Sequence, residues 1–447
     1  MSLRLWPVLI AFCSWHVFTP GRSAAEIIPA TGRDLISPQI YTSMQNWMLD
    51  KRFDGWLFTG HGRFGDIEEE LLGLRGETNH RWFIFYGGMS TLRKPFLIYH
   101  PDDEHLFEGV AFYPTTYRSY DEMKQALADR VFTVARDIAL NYSPRLEVSE
   151  VSQVDLGTVE LLKEIGLKFR PSGSLLSFYH TRWTVDEVES HKYAAARLDS
   201  ILPVALERLR DRISRGKRIT DYDLARHISR NLDDLDLEEV EPVMVAVGAH
   251  TLRESHVPSK SKKERVEIGR DSVVYLEVAA RRKDHEEAMF ARLGWTVVVA
   301  DSVPGGMKQS WNRITAAADT ALALVARRIK GGKSLTGREV DEAARPLLGR
   351  DPHVLPRPLG YNLNRRGRNF GVRFDSYLFL DNREIMPGLG FTLEPGIYTK
   401  YYALRLCTNL FLEGDREVTL SAPLQRKLIP ALADPALLIE AFLPPLD

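Results

Sequence analysis

Two cysteines in 447 residues, Cys13 and Cys407, exclude a disulfide-stapled scaffold and a zinc site built on clustered thiolates. Charge of one sign is missing too: 59 Lys and Arg face 60 Asp and Glu, for a formal net charge of -1. Such a balance gives no electrostatic reason to expect nucleic acid or an anionic membrane as partner. The chain has no P-loop, no G-x-G-x-x-G pattern, no internal repeat and no low-complexity tract, so nucleotide-binding and solenoid readings have nothing to rest on. No apolar run reaches the roughly 20 residues of a membrane span.

The longest apolar run, Leu5 to Phe18, follows Arg4 and ends in the small residues Ser23-Ala24-Ala25. That order is the pattern of a secretory leader cleaved after Ala25, and it predicts an exported, periplasmic or secreted protein. Removing the leader takes Cys13 away and leaves Cys407 with no intramolecular partner. The full chain is 44% hydrophobic and 27% charged, and it is long enough for two or three packed domains.

Four segments set the organisation: residues 1–25 as leader, 26–180 as a first domain, 181–425 as a second and 426–447 as a tail. In the first domain, Gly55 to Phe58, Trp82 to Tyr86 and Phe96 to Tyr99 read as strands and Asp121 to Phe132 as a helix, which suggests helices covering a mixed sheet. In the second, Thr184 with Glu187, Thr220 with Asp223, and Thr336 with Glu339 mark helix starts, and Pro203 interrupts the first helical stretch. Strands are expected at Val243 to Val247, Val273 to Leu276, Trp295 to Val299, Gly390 to Tyr398 and Leu404 to Leu412. Paired strands and helices after a separate α/β lobe make the fold class α+β.

Gly390-Phe391-Thr392-Leu393-Glu394-Pro395-Gly396-Ile397-Tyr398 resembles the F-[ST]-[IL]-E-P-G-I-Y strand of the pita-bread metallopeptidases, the family of aminopeptidase P, prolidase and creatinase. Arg81-Trp82, Gly87-Gly88 and Val154 to Thr158 resemble the creatinase-like N-terminal domain that precedes the pita-bread domain in that family. The resemblance implies this two-domain architecture and a site where two Asp, one His and two Glu hold two divalent ions. Two such ions need several carboxylates to offset them and together generate hydroxide from bound water.

Of those five positions, the resemblance leaves one unchanged. Glu277 stands for the first Asp, Arg292 for the second, Tyr361 for the His and Cys407 for the second Glu, while Glu394 is retained. Arg368 replaces a further histidine on the substrate side, and Arg405 completes the pocket positions. An arginine cannot shed its proton to receive a cation. Arg292 is therefore expected to fill the metal cavity as a built-in cation paired to Glu277 and Glu394, with no metal and no cofactor bound.

The implied function is an exported Xaa-Pro-peptidase-like protein without metal catalysis, binding a peptide or small ligand, and present as a homodimer or as a heterodimer with an active relative. The alternative is a creatinase-like, metal-independent C–N hydrolase, with His256 as acid and base and Glu394 orienting it. Asp284 to Glu287 has metal-ligand residue types but reads as a solvated turn between strands.

Overall fold

The computed structural model describes residues 38–88, 92–109, 111–349, 357–365, 370–435 and 440–442. The leader and its cleavage point at Ala25, and Arg368, lie outside the described residues.

The N-terminal part is a six-stranded sheet of β1 (Gly55–Arg63), β2 (Glu77–Gly87), β3 (Phe96–Tyr99), β4 (Tyr113–Thr116), β5 (Asp137–Leu140) and β6 (Lys168–Pro171), in the order β4-β3-β2-β1-β5-β6. β1, β2 and β3 pair antiparallel and the outer pairings are parallel, so the sheet is mixed as expected. Alternation sorts its two faces: Trp56, Phe58, Ile84 and Tyr86 enter one core, while Leu57, Phe83 and Phe85 enter another. Helices α1 (Pro38–Asp50) and α2 (Asp66–Leu72) pack on the first face, and α3 (Tyr120–Leu127) and α4 (Leu156–Ile165) on the second. The helix expected through Phe132 is α-helical to Leu127 and then widens into one π-helical turn, Ala128–Phe132. Asn141 is buried, and its Oδ1 accepts from Trp56 Nε1 at 2.8 Å and Ser172 Oγ at 2.5 Å, so this side chain serves the core.

Helix α5 (Gly173–Thr181) leads to α6 (Val185–Leu198), α7 (Ile201–Ser214), α8 (Asp221–Asp234), α9 (Gly305–Lys330) and α10 (Gly337–Leu348). The three expected starts are capping boxes. In α6, Thr184 Oγ1 accepts from the Glu187 amide at 3.2 Å while the Glu187 carboxylate accepts from the Thr184 amide at 2.7 Å. Thr220 with Asp223 and Thr336 with Glu339 repeat the exchange in α8 and α10. The long stretch after Thr184 breaks at Asp199-Ser200, and Pro203 sits in the first turn of α7, where a missing amide donor costs little.

The second part centres on β7 (Leu237–Glu239), β8 (Met244–Val247), β9 (Val273–Arg282) and β10 (Ala291–Val298); β9 pairs antiparallel with the other three. Around them lie β11 (Gly360–Tyr361), β12 (Arg373–Phe374), β13 (Gly390–Leu393), β14 (Gly396–Tyr398), β15 (Ala403–Arg405), β16 (Thr408–Leu412) and β17 (Val418–Leu420). Two strands expected to be continuous are each divided. Gly390 to Tyr398 splits at Glu394-Pro395, because proline has no amide for the ladder, and Leu404 to Leu412 splits at Leu406-Cys407. Within the stretch read as a tail, β18 (Ile429–Pro430) joins the central sheet beside β10. Helices α6, α7 and α8 cover one face of that sheet with Leu198, Leu202, Leu206, Leu224 and Ile228 against Val245, Leu276 and Trp295. Each such side chain contributes about 1.5–3 kcal/mol through burial. The turn at Asp284 to Glu287 joins β9 to β10 and is exposed, as expected.

The chain approaches itself closely where β11 meets β13. A Cβ on Gly360 would lie 2.1 Å from the Thr392 carbonyl oxygen, a backbone atom that cannot swing aside. Gly360→Ala should therefore lower stability by about 1–3 kcal/mol, read as a shift in urea midpoint with unchanged slope. A neutral result would mean that this approach is looser than described.

Candidate functional site: a guanidinium among carboxyls

In the register of β9 and β10, Glu277 lies opposite Gly294 and Arg292 opposite Ala279. With a side-chain period of two, Glu277 and Arg292 reach the same face as diagonal neighbours. Arg292 Nη1 donates to Glu277 Oε1 at 2.8 Å, and Arg292 Nη2 donates to Glu241, just before β8. The other Glu277 oxygen accepts from the Tyr275 hydroxyl at 2.5 Å. Gly294 makes this possible: a Cβ there would stand 2.2 Å from the Tyr275 oxygen and 3.0 Å from Cys407 Cβ.

The divided strands bring the remaining positions to the same place. Gly294 and Cys407 form a backbone bridge, with amide-to-carbonyl distances of 2.9 and 3.0 Å, and the Cys407 thiol faces the Arg292 carbonyl at 3.5 Å. Asn409 secures the opposite side: its Oδ1 accepts from the Arg292 amide at 2.8 Å and its Nδ2 donates to the Arg292 carbonyl at 2.7 Å. Tyr361 on β11 donates from its hydroxyl to Glu254 at 3.1 Å. Glu394 sits at the break between β13 and β14, its amide bonded to the Leu359 carbonyl at 2.6 Å. Arg405 stacks over the Tyr275 ring at 4.0 Å and reaches Met244 Sδ at 3.5 Å.

Glu277, Arg292, Tyr361, Glu394 and Arg405 thus line one cavity of about 450 Å³, with Cys407 buried behind Arg292. A second cavity of about 680 Å³ shares Arg357, Glu394 and Tyr398 with the first. In two places the arrangement differs from the sequence reading. The direct partners of Arg292 are Glu277 and Glu241, and Glu394 acts on it through space rather than by a described hydrogen bond. His256 does not line the cavity: its Nε2 faces Asp221 Oδ2 at 3.5 Å and its ring packs against His250 at 4.5 Å. Glu254 and Ser255, in the loop after the 3-10 turn Gly248–Leu252, take the cavity-facing places, while His256 is buried against Asp221. Glu241, Glu254, Tyr275 and Arg357 went unrecognised in the sequence. Glu241 belongs to the acidic run Glu238-Glu239-Val240-Glu241, and no local pattern says which of its carboxylates turns inward.

Electrostatics follow from these contacts. Burial opposes ionisation of Glu277, but Arg292 and Arg405 prevail and hold its carboxyl below the ordinary range. Burial and the neighbouring Glu277 charge push Glu394 upward, only partly offset by Arg292. Burial likewise raises the Cys407 thiol well above its usual value, with both glutamates adding to it, so the sulfur stays protonated. Burial disfavours the Arg292 charge, yet Glu277, Glu241 and Glu394 keep it cationic. Three guanidiniums, Arg292, Arg357 and Arg405, therefore face four carboxyls, Glu241, Glu254, Glu277 and Glu394. Such a set is already close to neutral. It does not fit two divalent ions, which need carboxylate charge left over and imidazole or carboxylate donors where a guanidinium, a phenol and a protonated thiol stand.

Residues 189–413 match the model of metallopeptidase family M24, and the chain belongs to that family. No curated protein matches it. Among solved structures it is similar to the dipeptidase PepE from Mycobacterium ulcerans, at a TM-score of 0.56 and 16% identity over 88% of this chain and 97% of that one. The N-terminal domain of the FACT complex subunit SPT16 from Cicer arietinum aligns at 0.50 and 13% identity over 87% and 96%. A prolidase from Thermococcus sibiricus aligns at 0.49 and 17% identity over 88% and 98%. The dipeptidase and SPT16 likenesses show the fold, an α+β pita-bread domain behind an N-terminal domain, and nothing of the chemistry.

Removing the guanidinium leaves buried carboxylates uncompensated, so Arg292→Ala should lose about 3–5 kcal/mol at neutral pH. The sign with pH is set by Glu277. In the native protein its folded pKa lies below the unfolded one, so its contribution is present at neutral pH and lost on acidification. In Arg292→Ala its folded pKa rises above the unfolded value, and protonation then favours the folded state. The deficit of the variant should shrink as pH falls from 8 to 5 in urea melts. A deficit independent of pH would contradict the pairing.

Proposed function

We propose that this M24 member is an exported homologue of the Xaa-Pro peptidases that no longer binds the two metals and keeps the cavity as a binding site for a peptide or small ligand. The observation that supports this reading is the Arg292 guanidinium held by Glu277 and Glu241 inside the cavity, where the family resemblance calls for a metal-binding carboxylate. A permanent cation at that point repels a divalent ion and neutralises the carboxylates that would have held it. Three arginines and a raised Glu394 carboxyl suit a ligand with its own carboxylate and carbonyl, as a short peptide has. Pairing of two copies, or of one copy with an active relative, belongs to the same proposal.

Export rests on Arg4, the Leu5 to Phe18 run and Ala25. Among the described residues, no helix is long and apolar enough to cross a membrane. The metal-independent hydrolase reading is the weaker of the two, because it needs His256 beside Glu394 and the histidine is turned toward Asp221.

Two measurements on the purified chain test the proposal. Xaa-Pro dipeptides incubated with the protein and added manganese, cobalt or zinc should stay intact. Pro-containing dipeptides should raise the melting temperature, since a ligand present at 100 times its Kd adds about 2.7 kcal/mol to the native state. Hydrolysis that depends on the added ion would refute the proposal.

A further inference from the structure

We propose that Asp221, His250 and His256 form a site for one divalent transition-metal ion of the zinc type, outside the central cavity. The three come from separate segments: Asp221 is the first residue of α8, His250 lies in the 3-10 turn Gly248–Leu252, and His256 follows in the next loop. One ligand atom from each lies within 4.8 Å of the others, and both Asp221 and His256 are buried. Two imidazoles and a carboxylate are a donor set that suits zinc, cobalt or nickel better than calcium or magnesium.

The surroundings are built accordingly. Asp221 Oδ1 accepts the amides of Tyr222 at 2.7 Å and Val266 at 3.0 Å, which orients the carboxylate and leaves Oδ2 toward the histidines. From there His256 Nε2 is 3.5 Å away. That is long for an N–H···O bond, but it is roughly the edge of a tetrahedron whose corners stand about 2.0–2.2 Å from a central ion. His250 Nδ1 is buried and has no hydrogen-bond partner among the described residues, which is costly for an imidazole nitrogen unless something binds it. Arg253 Nη1 stands 3.4 Å from His256 Nδ1, and as an exposed side chain it would have room to turn to solvent were an ion held at Nε2 and the ring proton at Nδ1.

Such an ion has a mechanical role. The loop between His250 and His256 carries Glu254 and Ser255 into the cavity, where Glu254 pairs with Arg357 at 3.0 Å and accepts from Tyr361 at 3.1 Å. Pinning both ends of this loop to α8 fixes one wall of the cavity.

The test uses the full chain, stripped with chelator and titrated with zinc in competition with a chromophoric chelator. The expected result is one ion per chain and a melting temperature raised by zinc, both lost in His250→Ala and His256→Gln and both kept in Glu394→Gln. Cobalt in the native protein should give the intense visible bands of a tetrahedral site, a readout that does not depend on any variant folding. Absence of stoichiometric zinc and of those bands overturns this site and leaves the proposed function untouched. Two ions kept in His250→Ala but lost in Glu394→Gln would overturn both.

Discussion

A guanidinium withdrawn from water must be surrounded by negative charge, and this requirement organises the second half of the molecule. Arg292 meets it with Glu277 on the neighbouring strand and Glu241 at the mouth of β8, while Glu394 adds its field from the break between β13 and β14. Of the two glutamates in direct contact, Glu277 lies on β9 and Glu241 in the bend before β8, so the pair also ties the central sheet to the segment that enters it. Desolvating these ions is expensive, and the contacts offset that cost only because each charge has several partners.

Backbone geometry is what lets those charges meet. Gly294 admits the Tyr275 hydroxyl and the Cys407 backbone into the same small space, and Asn409 holds the Arg292 peptide unit from the other side. Pro395 ends one ladder and the Gly294–Cys407 bridge starts another connection, so two divided strands fold around the cavity instead of passing beneath it. Local interruptions of the sheet thus do for this site what long loops do in other proteins.

Local chemistry was readable wherever it depends on neighbours in the chain. The three capping boxes, the strands β1, β2 and β3 and the exposed turn at Asp284 to Glu287 follow from local sequence alone, and the structure holds each of them. Expectations failed where neighbours in space decide. The strands around Glu394 and Cys407 are broken, Ser255 rather than His256 faces the cavity, and Glu241 takes the place expected for Glu394 beside Arg292. Each of these depends on which side a backbone turns at one residue, a difference that propensity does not register.

By itself, the sequence determined the family, the α+β class and the residue types at the five positions, because motif spacing and side-chain chemistry are properties of the chain. It also determined that a permanent cation would stand among them, since no environment deprotonates an arginine. Only the tertiary structure decided which carboxylates touch that cation, which loop residue faces the cavity and which histidines gather beside α8. Those outcomes rest on contacts between residues far apart in the chain, and a buried charge is satisfied by whichever partner the packing brings within reach.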